Sequence, residues 1–351
     1  MNKINPEMIV LGRELRGLTQ AELATGVSLN QATISRYESG AVEVPDEHIR
    51  TIAEFLGRPK SFFRWPDQLY GASCMYHRKN RRLSVAELTV IHAKVNLLRI
   101  QASRLLKQAK VTSKYSFYRM DQAKLGSPEE CARRQRQLWQ MPSGPARNVV
   151  SSIERAGGMV FRCPFGETRV DGVSQWPLDA PNMPPIFFVH EDIPGDRERL
   201  TLSHEVGHVV MHHMPTEGDL EDEANRFAAE FLMPADEIKD ELRNLTLPKA
   251  AALKSYWKVS MQALIVHAHR LGSITDNQYQ YLFRQLSTRG YRTCEPCPIP
   301  PEEPEMFKDV VEFHQKKLRW GMSDLSEFLG ESEENFRDKY GRNFSNFRLV
   351  G

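Results

Sequence analysis

Residues 197–213 read RERLTLSHEVGHVVMHH, and three of them have the types and spacing that metal chemistry needs. His204 and His208 stand four apart, so on a helix their imidazoles lie one above the other and can reach a single ion. Glu205 is then placed to take a proton from water at that ion, the arrangement of a zinc hydrolase. Two histidines are too few, because a catalytic zinc takes three protein ligands and keeps its fourth position open. His212 continues the same helical face but lies two turns from His204, roughly 12 Å, too far for one ion with bonds of about 2 Å. The longer pattern, with a glycine and then a histidine following His208 at three-residue steps, is excluded because Met211 and Met214 fill those places. The third ligand is expected on a second helix within GDLEDEANRFAAEFLMP (218–234), where Glu221, Asp222 and Glu223 are all open by spacing. His190 and Tyr281 are candidates for a donor to a developing oxyanion, and His213 reads as a surface or supporting residue.

Such a helix needs a scaffold. Upstream, GGMVFRC, TRVDGVSQW and PPIFFVH have β-rich composition and turn signals, which predicts three short strands forming a small sheet beside it. Pro194 and Gly195 mark the helix start. Farther upstream, LSVAELTVIHAKVNLLRIQASRLLKQA predicts a helix with Leu88, Ile91, Val95, Leu98 and Leu105 on one stripe. Downstream, CEPCPIPPEEPEM is a Pro/Glu-rich bend before final helices around 305–340.

The length of 351 residues suggests more than one domain. There is no apolar run of membrane-spanning length and no signal-peptide core, so a cytoplasmic protein without membrane association is expected. Five cysteines in such a chain do not make a disulfide framework, and the pair Cys294/Cys297 lacks the second pair of a zinc ribbon. Net charge is +2, yet residues 58–136 carry +13 and the remainder −11. A basic middle suits nucleic acid or an acidic partner, and the cluster Arg78, Lys79, Arg81 and Arg82 is expected to be exposed.

The first 64 residues read as short helices. Thr19 with Glu22 makes a capping box, Ser28 is a candidate cap for the next helix, and Gly40 ends it. Two helices joined by a tight turn, the second carrying Asn30, Gln31, Thr33 and Arg36, follow helix-turn-helix logic. On LTQAELA…VSLNQATISRYESG, residues 6–64 resemble the Cro/repressor-type (XRE) helix-turn-helix family. That resemblance implies a phosphate contact by Gln20 and places Asn30, Gln31, Ala32, Thr33 and Arg36 toward the major groove. One feature opposes it: residues 1–57 hold 5 basic and 8 acidic side chains.

RERLTLSHEVGHVVMHH followed by EDEANRFAAEFLMP, with VDGVS upstream, resembles the ImmA/IrrE family of zinc metallo-endopeptidases, a gluzincin-like group. Within that pattern the glutamate before Ala-Asn, Glu223, is the implied third ligand beside His204 and His208, with Glu205 as catalytic base and Zn2+ as cofactor. The expected fold is α+β and mostly helical: a five-helix helix-turn-helix domain at 1–64, a linker at 65–86, a peptidase domain with a small β-sheet at 87–290, and a helical C-terminal extension at 291–351. The two resemblances imply a bacterial or phage-encoded transcriptional regulator. It would bind a double-stranded DNA operator, an inverted repeat, as a homodimer. Its endopeptidase would cleave itself, most simply within 65–86, or a partner repressor, in a stress or mobile-element response. A non-proteolytic ligand-sensing or antitoxin-like repressor, whose metal domain is regulatory or structural, is the competing class.

Overall fold

The computed structural model describes residues 3–70, 84–107, 109, 113–163, 165, 170–176, 183–212 and 218–340. In chain order it begins with α1 (Pro6–Leu15), α2 (Gln20–Gly26), α3 (Gln31–Glu38), α4 (Asp46–Leu56) and α5 (Val85–Leu106). Next come α6 (Gln122–Leu125), α7 (Pro128–Leu138), α8 (Val149–Arg155) and strands β1 (Met159–Cys163), β2 (Gly172–Gln175) and β3 (Ile186–His190). Then follow α9 (Gly195–Met211), α10 (Leu220–Leu232), α11 (Ala235–Ile238), α12 (Leu247–Trp257), α13 (Met261–Arg270) and α14 (Asp276–Thr288). The last helices are α15 (Met306–Leu318), α16 (Met322–Phe328) and α17 (Glu333–Tyr340). The fold is α+β and mostly helical, as expected.

The chain forms two compact units whose limits differ from the boundaries read in the sequence. Among the described residues, the first unit contains α1–α5 together with residues 308–340; the second runs from residue 113, before α6, to residue 307. Helix α5 and most of the C-terminal extension therefore belong with the N-terminal helices.

In the first unit, Met8, Ile9, Leu11, Leu23, Ile34, Ile52, Phe62 and Phe63 make the core, joined by Ala93, Leu97 and Ile100 of α5. The predicted stripe of α5 is buried at Ile91, Val95, Leu98 and Leu105, and so are Ala93, Leu97 and Ile100 off the stripe. A one-stripe reading understates a helix buried on nearly all sides. The expected fifth helix of the N-terminal module is a single 3-10 turn, Phe62–Arg64. The expected linker does not begin at Trp65. Asn5 Nδ2 donates to Trp65 O and Asp67 O, Glu7 accepts from Leu69 N, and Asn96 exchanges hydrogen bonds with the Tyr70 backbone. These side chains satisfy backbone groups that no helix or sheet pairs. Residues 71–83, with the basic cluster, lie outside the described residues, and Ser84 with Glu87 forms the capping box that opens α5.

In the second unit the sheet has the order β1-β3-β2, parallel between β1 and β3 and antiparallel between β3 and β2. Phe187 and Val189 of β3 join Leu202, Val206 and Val210 of α9 in one core with Phe227 and Phe231 of α10. The Pro/Glu-rich segment is not a free bend. Glu295 accepts from Met261 N and Gln262 N at the start of α13, Ile299 O accepts from Gly195 N, and Glu302 accepts from Val149 N and Val150 N at the start of α8. Its glutamates thus satisfy the orphan N–H groups of two helix N-termini. Buried Arg199 pairs with Glu302, and buried Lys254 with Glu295 and Asp196.

One buried histidine ties α13 to the end of α10: His267 Nε2 donates to Met233 O at 3.0 Å. Burial pushes this imidazole down from 6.5 to about 4. Between those values the unfolded chain binds a proton that the folded chain refuses. The stability is therefore complete above pH 6.5 and is lost as pH falls toward 4. The expected loss is about 3 kcal/mol. In urea unfolding across that range, His267→Gln, which can still donate to Met233 O, should show a flatter pH dependence than the wild type. Equal slopes would remove His267 as the cause.

Candidate metal centre and nucleic-acid interface

Helix α9 carries the histidines, and close approach of α10 completes the cluster. Gly207 makes that approach feasible, since a Cβ there would lie 3.1 Å from the Phe227 ring. Asp219 caps α10 and puts Glu221, Asp222 and Glu223 in its first turn, where carboxylates suit the positive end of the helix dipole. His204 Nε2 and His208 Nε2 face each other at 3.0 Å. Glu221 Oε2 lies 3.5 Å from His204 Nε2, and Oε1 lies 3.4 Å from His208 Nε2. His204, His208 and Glu221 are the group of potential metal ligands among the described residues.

These separations test whether a metal fits. Two ligand atoms bound about 2.0–2.1 Å from one tetrahedral ion stand about 3.3 Å apart, close to all three observed distances. Glu221 Oε2 is also buried without a hydrogen-bond partner among the described residues, a cost that an ion would remove. The field favours a cation as well. Burial should lower His204, yet Glu221, Glu205 and Asn225 together hold it above its ordinary value. The His204 and His208 contacts keep Glu221 well below the usual carboxylate range. Burial, the main cause, pushes His208 down to about 4, which keeps a neutral, ligand-ready imidazole.

Glu223, the ligand implied by the resemblance, is not brought to this pair. Its Oε2 is 2.9 Å from His212 Nε2, and His212 Nδ1 is 2.9 Å from His208 Nδ1. The reason is the geometry of α10. Glu221 and Asn225 are one turn apart on the edge that meets His204, and Asn225 Oδ1 is 3.1 Å from His204 Nδ1. Two residues after Glu221, Glu223 faces the C-terminal end of α9 instead. The i, i+4 spacing of Glu221 and Asn225, matching that of His204 and His208, was the signal available in the sequence.

Glu205 is buried, and Ser174 Oγ on β2 donates to its Oε2 at 2.5 Å. Burial, the largest influence, raises this carboxyl to about 7 against the opposing pull of His204 and Ser174. Ser174, within the quoted VDGVS, is a site residue that spacing alone did not reveal. His190 ends β3 and accepts from Asp192 N, whereas Tyr281 is exposed on α14. His213 lies outside the described residues.

In the first unit α2 and α3 form the expected helix pair. Thr19 and Glu22 make the capping box of α2. The cap of α3 is Asn30 rather than Ser28, which has φ 56° in the turn. Asn30 Oδ1 accepts from Thr33 N and Thr33 Oγ1, so both side chains are engaged in the cap. Gln31, Ala32 and Arg36 are exposed on α3. Gln31 Nε2 donates to Gln20 Oε1 at 3.2 Å, and Gln20 Nε2 donates to Glu38 Oε2 at 2.9 Å. Arg13 grips the same Glu38 carboxylate at 2.6 and 3.0 Å. Part of the acidity of residues 1–57 is thus neutralised locally, and Gln20 braces Gln31.

A family model of the helix-turn-helix matches residues 11–63, and a model of the IrrE N-terminal-like domain, a metallopeptidase family, matches residues 153–269. No curated protein matches the chain. Among the described residues no helix is long and apolar enough to cross a membrane. The chain thus carries an XRE-type helix-turn-helix domain at residues 11–63 and an IrrE N-terminal-like domain at residues 153–269.

Proposed function

We propose that the chain is a cytoplasmic, DNA-binding transcriptional regulator of a bacterium or phage with a zinc endopeptidase site. The observation that carries the enzymatic half is the convergence of His204 Nε2, His208 Nε2 and Glu221 at 3.0, 3.4 and 3.5 Å beside buried Glu205. His204, His208 and Glu221 would hold the zinc. The chemistry a zinc ion would supply there is acidification of a water and polarisation of the scissile carbonyl. Glu205 takes a proton from the attacking water on its carboxylate and delivers it to the leaving amine. Ser174 Oγ holds that carboxylate in place. The fusion supports a substrate from the same regulatory circuit: this chain, or a partner repressor released in a stress or mobile-element response.

Metal content tests the ligand set. About one zinc per chain is expected, lost in His204→Ala and Glu221→Ala but still reached at saturating zinc in Glu223→Ala and Glu205→Gln. Loss of the stoichiometric ion in Glu223→Ala, with retention in Glu221→Ala, would return the third ligand to Glu223.

For the DNA-binding half, exposed Gln31, Ala32 and Arg36 read base edges, Asn30 and Thr33 shape the start of the reading helix, and Gln20 sets Gln31 and approaches a phosphate. A homodimer on an inverted repeat, with half-sites about 34–36 Å apart, follows for this type of module. Gln31→Ala and Arg36→Ala should each weaken specific binding by about 1–3 kcal/mol, measured by titration of the footprinted operator. Unchanged operator affinity in both would count against α3 as the reading helix.

A further inference from the structure

Glu223 and His212 stand outside the ligand set, yet they are joined to it. His204 and His208 lie on successive turns of α9 and His212 is its C-cap, with ring centroids 4.6 and 5.0 Å apart. We infer that Glu223 and His212 form a hydrogen-bonded relay that presents the Nε2 lone pair of His208 to the metal, a positioning role that rests on the metal reading above.

The direction of each bond follows from what each atom can do. An ionised carboxylate only accepts, so the 2.9 Å contact from Glu223 Oε2 places a proton on His212 Nε2. A neutral His212 then has a lone pair on Nδ1. The 2.9 Å contact between His212 Nδ1 and His208 Nδ1 consequently requires His208 Nδ1 to donate. That leaves His208 Nε2 without a proton, its lone pair directed at the place where His204 Nε2 and Glu221 converge. A metal-bound imidazole needs this tautomer, and the group that receives its other N–H fixes the ring and raises its basicity. His208 and His212 are only 2% and 3% exposed, so bulk water is poorly placed to substitute for the relay. Glu223 thus acts on the metal through two imidazoles and touches neither substrate nor ion.

The test is zinc affinity of the full-length chain, stripped of metal and titrated against a chromogenic zinc chelator at one fixed pH. His212→Phe fills the space but offers no acceptor, and should weaken zinc binding roughly 10- to 100-fold. His212→Asn, whose Oδ1 can take the place of Nδ1, should restore most of that affinity. Glu223→Ala should weaken binding, and Glu223→Gln, which keeps an acceptor oxygen, should retain most of it. The visible spectrum of cobalt-loaded Glu223→Gln should match the wild type, because no ligand is exchanged.

Wild-type affinity in His212→Phe, or an Asn variant as weak as the Phe variant, would overturn the relay and leave the metal reading standing. If His212→Phe does not fold, the contrast between Glu223→Ala and Glu223→Gln decides: equal affinities overturn the relay. A wild type that takes up no zinc overturns the metal reading and the relay together.

Discussion

Glu205→Gln is expected to reduce peptide-bond cleavage by about 10²- to 10⁴-fold while zinc uptake remains. The amide preserves the size of the side chain and can still accept from Ser174 Oγ, so the change is confined to proton transfer. Glu205 suits that task physically. Its burial raises the carboxyl to about 7, while the neighbouring His204 and the hydrogen bond from Ser174 restrain the rise. A base near the working pH can both remove a proton and return it. Ser174→Ala should act in the same direction but less strongly, because it loosens the carboxylate without removing it. Both variants should be compared with wild type on a purified helix-turn-helix repressor and on the chain itself. Cleavage by Glu205→Gln at the wild-type rate would dismiss Glu205 as the base. Loss of zinc in that variant would instead make the experiment a measure of metal binding.

Helix α9, with His204, Glu205 and His208 on it, was legible in the sequence because its information is local. His204, Glu205 and His208 depend on one helical period, and the cap of α2 on four adjacent residues. The choice between Glu221 and Glu223 was not local, since it depends on where α10 crosses α9, and on Gly207 and Phe227 at that crossing. Charge counting met the same limit. Arg99 and Arg136 contribute to the basic middle, yet both are buried. Arg136 donates to Phe231 O, Pro142 O and Gly144 O, and Arg99 stacks over Tyr70. Arg104 is similarly held between Trp65 and Phe328. These guanidiniums satisfy carbonyls and cover aromatic rings, so net charge along the chain overstates the field available to DNA. The role of the chain's end was hidden for another reason: its partners are more than 200 residues away.

That distant pairing leads to the second large effect. Arg58 Nη1 is 2.6 Å from Glu331 Oε2, with side chains 13% and 4% exposed, and it also donates to Gly330 O. Gln101 donates to Leu329 O and Glu331 Oε1, while Arg104 donates to Phe328 O. Gly330 is needed at φ +66°, where a Cβ would come within 2.6 Å of Trp65. The turn between α16 and α17 is therefore built into the unit that contains the helix-turn-helix. Glu331→Ala leaves the half-buried Arg58 guanidinium without its charge partner, at an expected cost of about 2–3 kcal/mol, below that of a fully buried pair because Gly330 O and some solvent remain within reach. Peptide-resolved hydrogen exchange should show the loss in α4 and the Phe62–Arg64 turn, with exchange in α9 unchanged. Replacing both partners, Arg58→Met with Glu331→Leu, should recover much of the stability, because no charge is then stranded. If Glu331→Ala exchanges like the wild type in α4, the ion pair does not hold this unit together. If the double variant is as unstable as the single one, packing at the turn rather than a stranded charge is the cause.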